Sequence, residues 1–289
     1  MKKLLLILLL LLLNGCSEDI GLYGTNLSEV WVDSFIQKPE MDGMDIVWIM
    51  DRSCSMQDDV PRVETGIGQM IEALDLFPWR IGIISSDPAI SVTQDSFPLV
   101  PGDSAEEAEG KVGNLPASDV EWGFSALISF NDNNPARLSP SDWMRPSAGL
   151  YVVFVSDEEE QSPISEEGFQ SWFLQERPWV GMASIINVDN SCTYGSIGTR
   201  YINVTEALQG IILDLCAKDW GVAMRDIASS FDPISYLDLS YSPIVESIRV
   251  YVNGDLQDSG YIYQGPLNRI VFLVPPSPES LVEVAYLIE

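Results

Sequence analysis

Between Asp45 and Ser230 short, largely apolar runs alternate with stretches whose apolar residues recur every three or four positions. This alternation constrains the fold more than any other feature of the chain. Asp45–Met50 (DIVWIM), Trp79–Ser85 (WRIGIIS), Tyr151–Ser156 (YVVFVS) and Val180–Val188 read as strands covered on both faces. Between them lie helical patterns. Val63, Ile67, Met70, Ile71 and Leu74 mark one face within 60–77, and further helices are predicted over 104–112, 119–130, 165–175 and 220–230. The segment 208–216 reads as a helix end and a short edge strand. The fold class that follows is α/β, a doubly wound and mostly parallel sheet with helices on both faces, over residues 43–230.

The pattern changes at Phe231. Pro and Gly punctuate short alternating runs at 247–252, 261–263, 269–274 and 281–287, and Asn253-Gly254 is a hairpin signal. Residues 231–289 are therefore expected to form a small all-β module. At the other end, Met1-Lys2-Lys3 precedes unbroken Leu and Ile from Leu4 to Leu13. That run is shorter than the roughly 20 residues a membrane-spanning helix requires, and it suits the apolar core of a signal peptide. Leu13-Asn14-Gly15-Cys16 resembles the bacterial lipobox. The resemblance implies that residues 1–15 are removed and that Cys16 carries lipid, with Ser17 after it favouring the outer membrane of a bacterial cell envelope. The polar, weakly patterned residues 16–42 read as a tether.

Composition narrows the chemistry. The chain has 43 acidic and 15 basic residues and a formal charge of −28, which repels phosphate backbones and excludes a nucleic-acid partner. Histidine is absent, so a Ser-His-Asp or Cys-His hydrolase is excluded. Any metal must be held by oxygen, which points to Mg²⁺ or Ca²⁺, with Mn²⁺ a further candidate. The cysteines are Cys16, Cys54, Cys192 and Cys216. With Cys16 assigned to lipid and Cys54 inside a motif, Cys192 and Cys216 are the natural disulfide pair outside the cytoplasm. Closing that loop stabilises by about 3 kcal/mol on the chain-entropy model. Two reduced, buried thiols are the alternative.

The first strand runs into Asp51-Arg52-Ser53-Cys54-Ser55-Met56, and the strand at 151–156 runs into Asp157. A loop leaving the carboxyl end of a buried strand can aim a carboxylate and two hydroxyls at one point. These residues resemble the DxSxS signature of the von Willebrand factor A family and its metal-ion-dependent adhesion site (MIDAS). The resemblance covers roughly residues 43–230. It implies that Ser53 and Ser55 bind the metal through hydroxyls, that Asp51 holds it directly or through water, and that Asp157 adds a carboxylate. Cys192 and Cys216 bracket Gly198, Arg200 and Tyr201, with Trp220 just beyond, much as in envelope members of the family.

The chain departs from the family at the middle ligand. Where a Thr is expected before the next helix, the sequence reads Ser118-Asp119-Val120-Glu121-Trp122-Gly123, leaving Glu121 or Ser118 for that place. With Glu121 the site reaches net −1 around a divalent ion, which favours Ca²⁺ over Mg²⁺ and recruits acidic ligands less readily. Glu158–Glu160 read as a solvated loop ahead of a helix, the alternative being a second cation site or an acidic rim facing a ligand. Asp87 is expected as a solvated rim carboxylate, Cys54 packed beneath its loop, and Trp48, Trp122 and Trp172 in the core. The resemblance implies protein recognition in which a partner's Asp or Glu completes the metal shell, with no catalysed reaction. The alternatives are a calcium-stapled scaffold and a metal-dependent phosphohydrolase. The latter requires an acid where Ser53 stands.

Overall fold

The computed structural model describes residues 29–74, 78–91, 98–133, 144–189 and 195–288. In chain order the strands are β1 Glu29–Ile36, β2 Met44–Met50, β3 Trp79–Ser85, β4 Gly149–Ser156, β5 Val180–Ile186, β6 Ile211–Asp214, β7 Tyr236–Asp238, β8 Arg249–Val252, β9 Asp255–Gln257, β10 Tyr261–Gln264, β11 Arg269–Phe272 and β12 Leu281–Ile288. The helices are α1 Val60–Ala73, α2 Pro88–Ser91, α3 Ala105–Gly113, α4 Gly123–Asn133, α5 Glu166–Phe173, α6 Thr199–Ala207 and α7 Gly221–Ser229.

β2 to β6 form one five-stranded sheet in the order β3-β2-β4-β5-β6, with every neighbouring pair parallel. Each central strand is buried on both faces because alternate residues feed different cores. Met44, Ile46, Trp48 and Met50 meet Val63, Ile67 and Met70 of α1, Val112 of α3 and Met224 and Ile227 of α7. Val47 and Ile49 share the opposite layer with Phe124 and Leu127 of α4, Phe169 and Phe173 of α5 and Val204 of α6. The doubly wound α/β sheet expected from the alternation is present, followed by separate antiparallel sheets. Among the described residues no helix is long and apolar enough to cross a membrane.

The β module differs from expectation in its membership. Two sheets, β1-β12-β8-β9 and β10-β11-β7, enclose a core of Leu239, Ile248, Val250, Ile270, Phe272, Val282, Val284 and Tyr286. Residues 29–36, assigned above to a tether, are strand β1. It runs antiparallel to β12 with Trp31 opposite Tyr286 and Phe35 opposite Val282. The module is thus assembled from both sides of the α/β sheet. Asp33 concealed this strand in the sequence, since it interrupts the inward row Trp31, Asp33, Phe35. Its carboxylate accepts hydrogen bonds from Tyr286 Oη at 2.6 Å, Ser240 N at 2.8 Å and Ser240 Oγ at 2.6 Å. The Asn253-Gly254 turn does join two strands, β8 and β9. Both residues adopt positive φ, 53° and 83°, the pattern of a type I′ hairpin.

Candidate metal centre

From β2 the chain winds outward to β3 and then crosses to β4 on the other side of β2. The winding reverses between β2 and β4, so a crevice opens at their carboxyl ends. Asp51 and Asp157 are the first residues past those ends. The Asp51 amide donates to Val155 O at 2.9 Å and fixes the two ends together. The Asp51 carboxylate is fully buried and accepts from Ser53 N through Oδ1 and from Ser156 Oγ through Oδ2, both at 2.8 Å. Ser53 Oγ lies 3.0 Å from Ser55 Oγ, and Ser55 Oγ donates to Asp157 Oδ1 at 3.3 Å. Two loops more than 100 residues apart in sequence therefore meet through their oxygens. The doubly wound parallel sheet carries the DxSxS loop at this crevice. The fold is von Willebrand factor A-like.

The remaining oxygen of Asp157, Oδ2, is buried and makes no hydrogen bond, although the residue is only 2% exposed. A buried carboxylate oxygen without a partner is costly unless a ligand meets it. The donors around it are two carboxylates and two hydroxyls, the hard-oxygen set that Mg²⁺ and Ca²⁺ take. Among the described residues no three His, Cys, Asp or Glu side chains converge by themselves. The ring from Asp51 to Asp157 closes through Ser53 and Ser55, so hydroxyls are integral to it.

Glu121 and Ser118 separate clearly. The Ser118 hydroxyl donates to Asp87 Oδ2 at 2.7 Å, and Asp87 also accepts from Ala89 N at 2.8 Å. Asp87 is thus a structural acceptor and not simply solvated. Glu121 is buried, its carbonyl accepts from Gln161 N at 3.0 Å, and its carboxylate accepts from Gln161 Nε2. Burial, then the charges of Asp51 and Glu158, a hydrogen bond with Glu158 and the charge of Asp157 push Glu121 up to about 8. Burial, reinforced by Asp51 and Glu158, pushes Asp157 up to about 6, and burial raises Asp51 as well.

These values set a pH dependence. With raised values, the native state holds more protons than the unfolded chain between about pH 4 and the values of about 6 and about 8. Stability therefore falls as pH rises through that window. In chelator-treated protein the melting temperature is expected to be lower at pH 8 than at pH 6, and saturating Ca²⁺ should narrow the difference. A melting temperature that rises with pH in the absence of cation would contradict this.

Several neighbours differ from expectation. The residues 158–160 are not a solvated run. Glu160 is 1% exposed and accepts from Phe124 N at 2.8 Å and from Ser162 N. Glu159 accepts from Thr199 N at 3.1 Å and Arg200 N at 2.9 Å, at the start of α6. With Glu160 and Ser162 taking the first amides of α4, that helix begins at Gly123 and not at Asp119. Cys54 is exposed instead of packed beneath its loop. Trp122 is 41% exposed, because its backbone is tied to Ser86 O above the sheet edge and its ring lies outside both helical layers.

No sequence pattern pointed to Gly195. Its φ is +88°, and a Cβ there would stand 1.9 Å from the Asp157 carbonyl oxygen. That carbonyl accepts from Ser196 N and Asn187 Nδ2, each at 2.8 Å. Cys216 is disulfide-bonded. Cys192, Cys16 and the signal segment 1–15 lie outside the described residues.

No family model matches the chain, and no curated protein matches it either. Among solved structures, a von Willebrand factor type A protein from Catenulispora acidiphila aligns over 93% of this chain and 68% of its own, at 11% identity and a TM-score of 0.47. Proximal thread matrix protein 1 of the mussel byssus, in a form with a zinc-occupied MIDAS motif, aligns over 69% and 48%, at 15% identity and a TM-score of 0.40. The pilus adhesin SpaC from Lactobacillus rhamnosus GG aligns over 91% and 42%, at 11% identity and a TM-score of 0.45. The chain spans less than half the length of the last two. At such distances the architecture rests on the strand order and not on these likenesses.

Proposed function

We propose that this chain is an envelope lipoprotein of the von Willebrand factor A family, one that binds a divalent cation, Mg²⁺ or Ca²⁺, and recognises a protein partner through that site. The observation that carries the reading is the meeting of Asp51, Ser53 and Ser55 with Asp157, whose second oxygen is buried without a partner. Asp51, Ser53, Ser55 and Asp157 would hold the ion, and Glu121, which feels the charges of Asp51 and Asp157, stands beside them. When bound, it supplies positive charge at a crevice otherwise lined by carboxylates. Asp51 is locked by Ser53 N and Ser156 Oγ, and this pre-orients the first loop. The anchor rests on Cys16 and the apolar run before it, and Cys192 is the proposed disulfide partner of Cys216.

A chelator–cation cycle on wild type and Asp51→Ala tests the site. At a cation concentration one hundred times the dissociation constant, wild type gains about 2.7 kcal/mol of stability by mass action. For a domain of this size that is a rise of roughly 5–10 °C in melting temperature. Asp51→Ala should show almost none, and an equal rise in both proteins would remove the site. Capture from envelope extracts with the same pair addresses recognition. Partners lost with Asp51→Ala support recognition through the metal, and partners retained support a scaffold stapled by calcium. The enzyme reading gains nothing from the geometry, because Ser53 lies beside Ser55 where a proton donor is required.

A further inference from the structure

Among the described residues the sheet edges are β1 and β9, β10 and β7, and β3 and β6. β6, β7, β9 and β10 run for only three or four residues. β3 is covered at Ile81, which exchanges both backbone hydrogen bonds with Leu99. β1 is different. It has eight residues, pairs with β12 on one side, and carries no backbone hydrogen bond on the other among the described residues.

The alternation of an antiparallel ladder identifies the groups left over. Gln37 N donates to Ser280 O and continues the register that sets Phe35 opposite Val282. The carbonyls of Leu281 and Leu287 turn the other way, accepting from Asn253 N and Ile244 N. The backbones of Trp31, Asp33 and Phe35 therefore bond to β12, and those of Val30, Val32, Ser34 and Ile36 face the open edge. The side chains of the same four residues point away from the module core. Val30 is 64% exposed, Val32 50% and Ile36 68%. Long edges are normally guarded by a Lys, a Pro or a bulge, because bare ones recruit further strands. β1 has none of these. Its charged residues are Glu29, at the start, and Asp33, turned inward to Tyr286 and Ser240.

Such a strip offers a charged partner little to read, but it fits a copy of itself. With a two-fold axis at Ser34, Val32 stands opposite the partner's Ile36, and the two Ser34 residues exchange both backbone hydrogen bonds. An axis at Asp33 would set two carboxylates face to face. One at Val32 would leave out Ile36, which is more exposed than Val30. We infer that β1 pairs antiparallel with β1 of a second copy about an axis at Ser34, joining two four-stranded sheets into one. The inference is independent of the cation site.

The mature chain is tested with Cys16→Ser and Cys54→Ser, so that neither lipid nor a free thiol joins two copies. Sedimentation from about 1 to 500 µM brackets the weak affinity of an interface at the low end of specific sizes. About 0.5 M salt screens the net acidic charge of the chain. Dimer should form as concentration rises. Ser34→Pro removes an amide that β12 does not use, so the melting temperature should barely move. Its dissociation constant should rise about tenfold or more, the effect of losing the two bonds at the axis. Val32→Lys/Ile36→Lys alters only exposed side chains and sets like charges opposite one another, so it should weaken the dimer as much. Hydrogen exchange reads the register. The amides of Val32, Ser34 and Ile36 should gain protection with concentration, while those of Asp33 and Phe35 are protected throughout. The inference is overturned if the chain stays monomeric over the whole range, or if both variants dimerise as wild type does. Protection that rises with concentration elsewhere but not at these alternate amides would overturn it too.

Discussion

Glu160→Ala is expected to destabilise the protein by about 3–5 kcal/mol, the range for removing one partner of a buried ionic network. The carboxylate is 1% exposed and satisfies the amides of Phe124 and Ser162, while Arg200 lies 3.9 Å from its other side. Tyr201, fully enclosed, is hydrogen-bonded to it. Alanine leaves the two amides without their acceptor and opens a small void beneath α4, while Arg200 keeps the carbonyls of Glu160, Ser162 and Ile164. The melting temperature should drop by roughly 8–15 °C. Glu160→Gln keeps one acceptor oxygen and should cost less than half as much. Equal losses for the two variants would show that Glu160 acts by filling space and not by accepting hydrogen bonds.

Gly195→Ala is the second large effect, and it bears on the site directly. With φ at +88° and the Asp157 carbonyl oxygen 1.9 Å from the position of a Cβ, alanine cannot enter without moving the Asp157 backbone. Overpacking and the left-handed conformation together are expected to cost about 2–4 kcal/mol. The more telling result is functional. The Asp157 carboxylate should leave the reach of Ser55, and the stabilisation by Ca²⁺ or Mg²⁺ should be lost even where the variant remains folded. Gly254→Ala is the control, because its φ is +83° with nothing within 4 Å of a Cβ. It carries the conformational cost alone and should keep the full response to cation. Loss of that response in both variants would mean that destabilisation in general, and not displacement of Asp157, abolishes binding.

Much of the architecture was legible because both layers of an α/β sheet write themselves into the chain. β4 is an unbroken apolar run, β2 and β3 are interrupted only by Asp45 and Arg80, and α1 has its apolar residues on one stripe, so periodicity located them. Asp51 and Asp157 were legible for a related reason, since a polar residue ending a buried strand must stand at the sheet edge. β1 was not legible as a strand. Its pairing with β12 spans nearly the whole chain, and the inward Asp33 looks unfavourable until Tyr286 and Ser240 are seen to satisfy it. The roles of Glu159 and Glu160 were hidden in the same way, because the amides they accept belong to α6 and α4.

By itself, then, the sequence determined the element types, the doubly wound class and the identity of the oxygen donors at the two strand ends. These follow from local periodicity and residue chemistry. Only the tertiary structure decided which carboxylates face one another, which are used up as helix caps, and that Asp157 Oδ2 is left without a partner. Such properties depend on distances between segments far apart along the chain. Hydrogen bonds and charge coupling act over a few ångströms of space, and no spacing along the sequence encodes them.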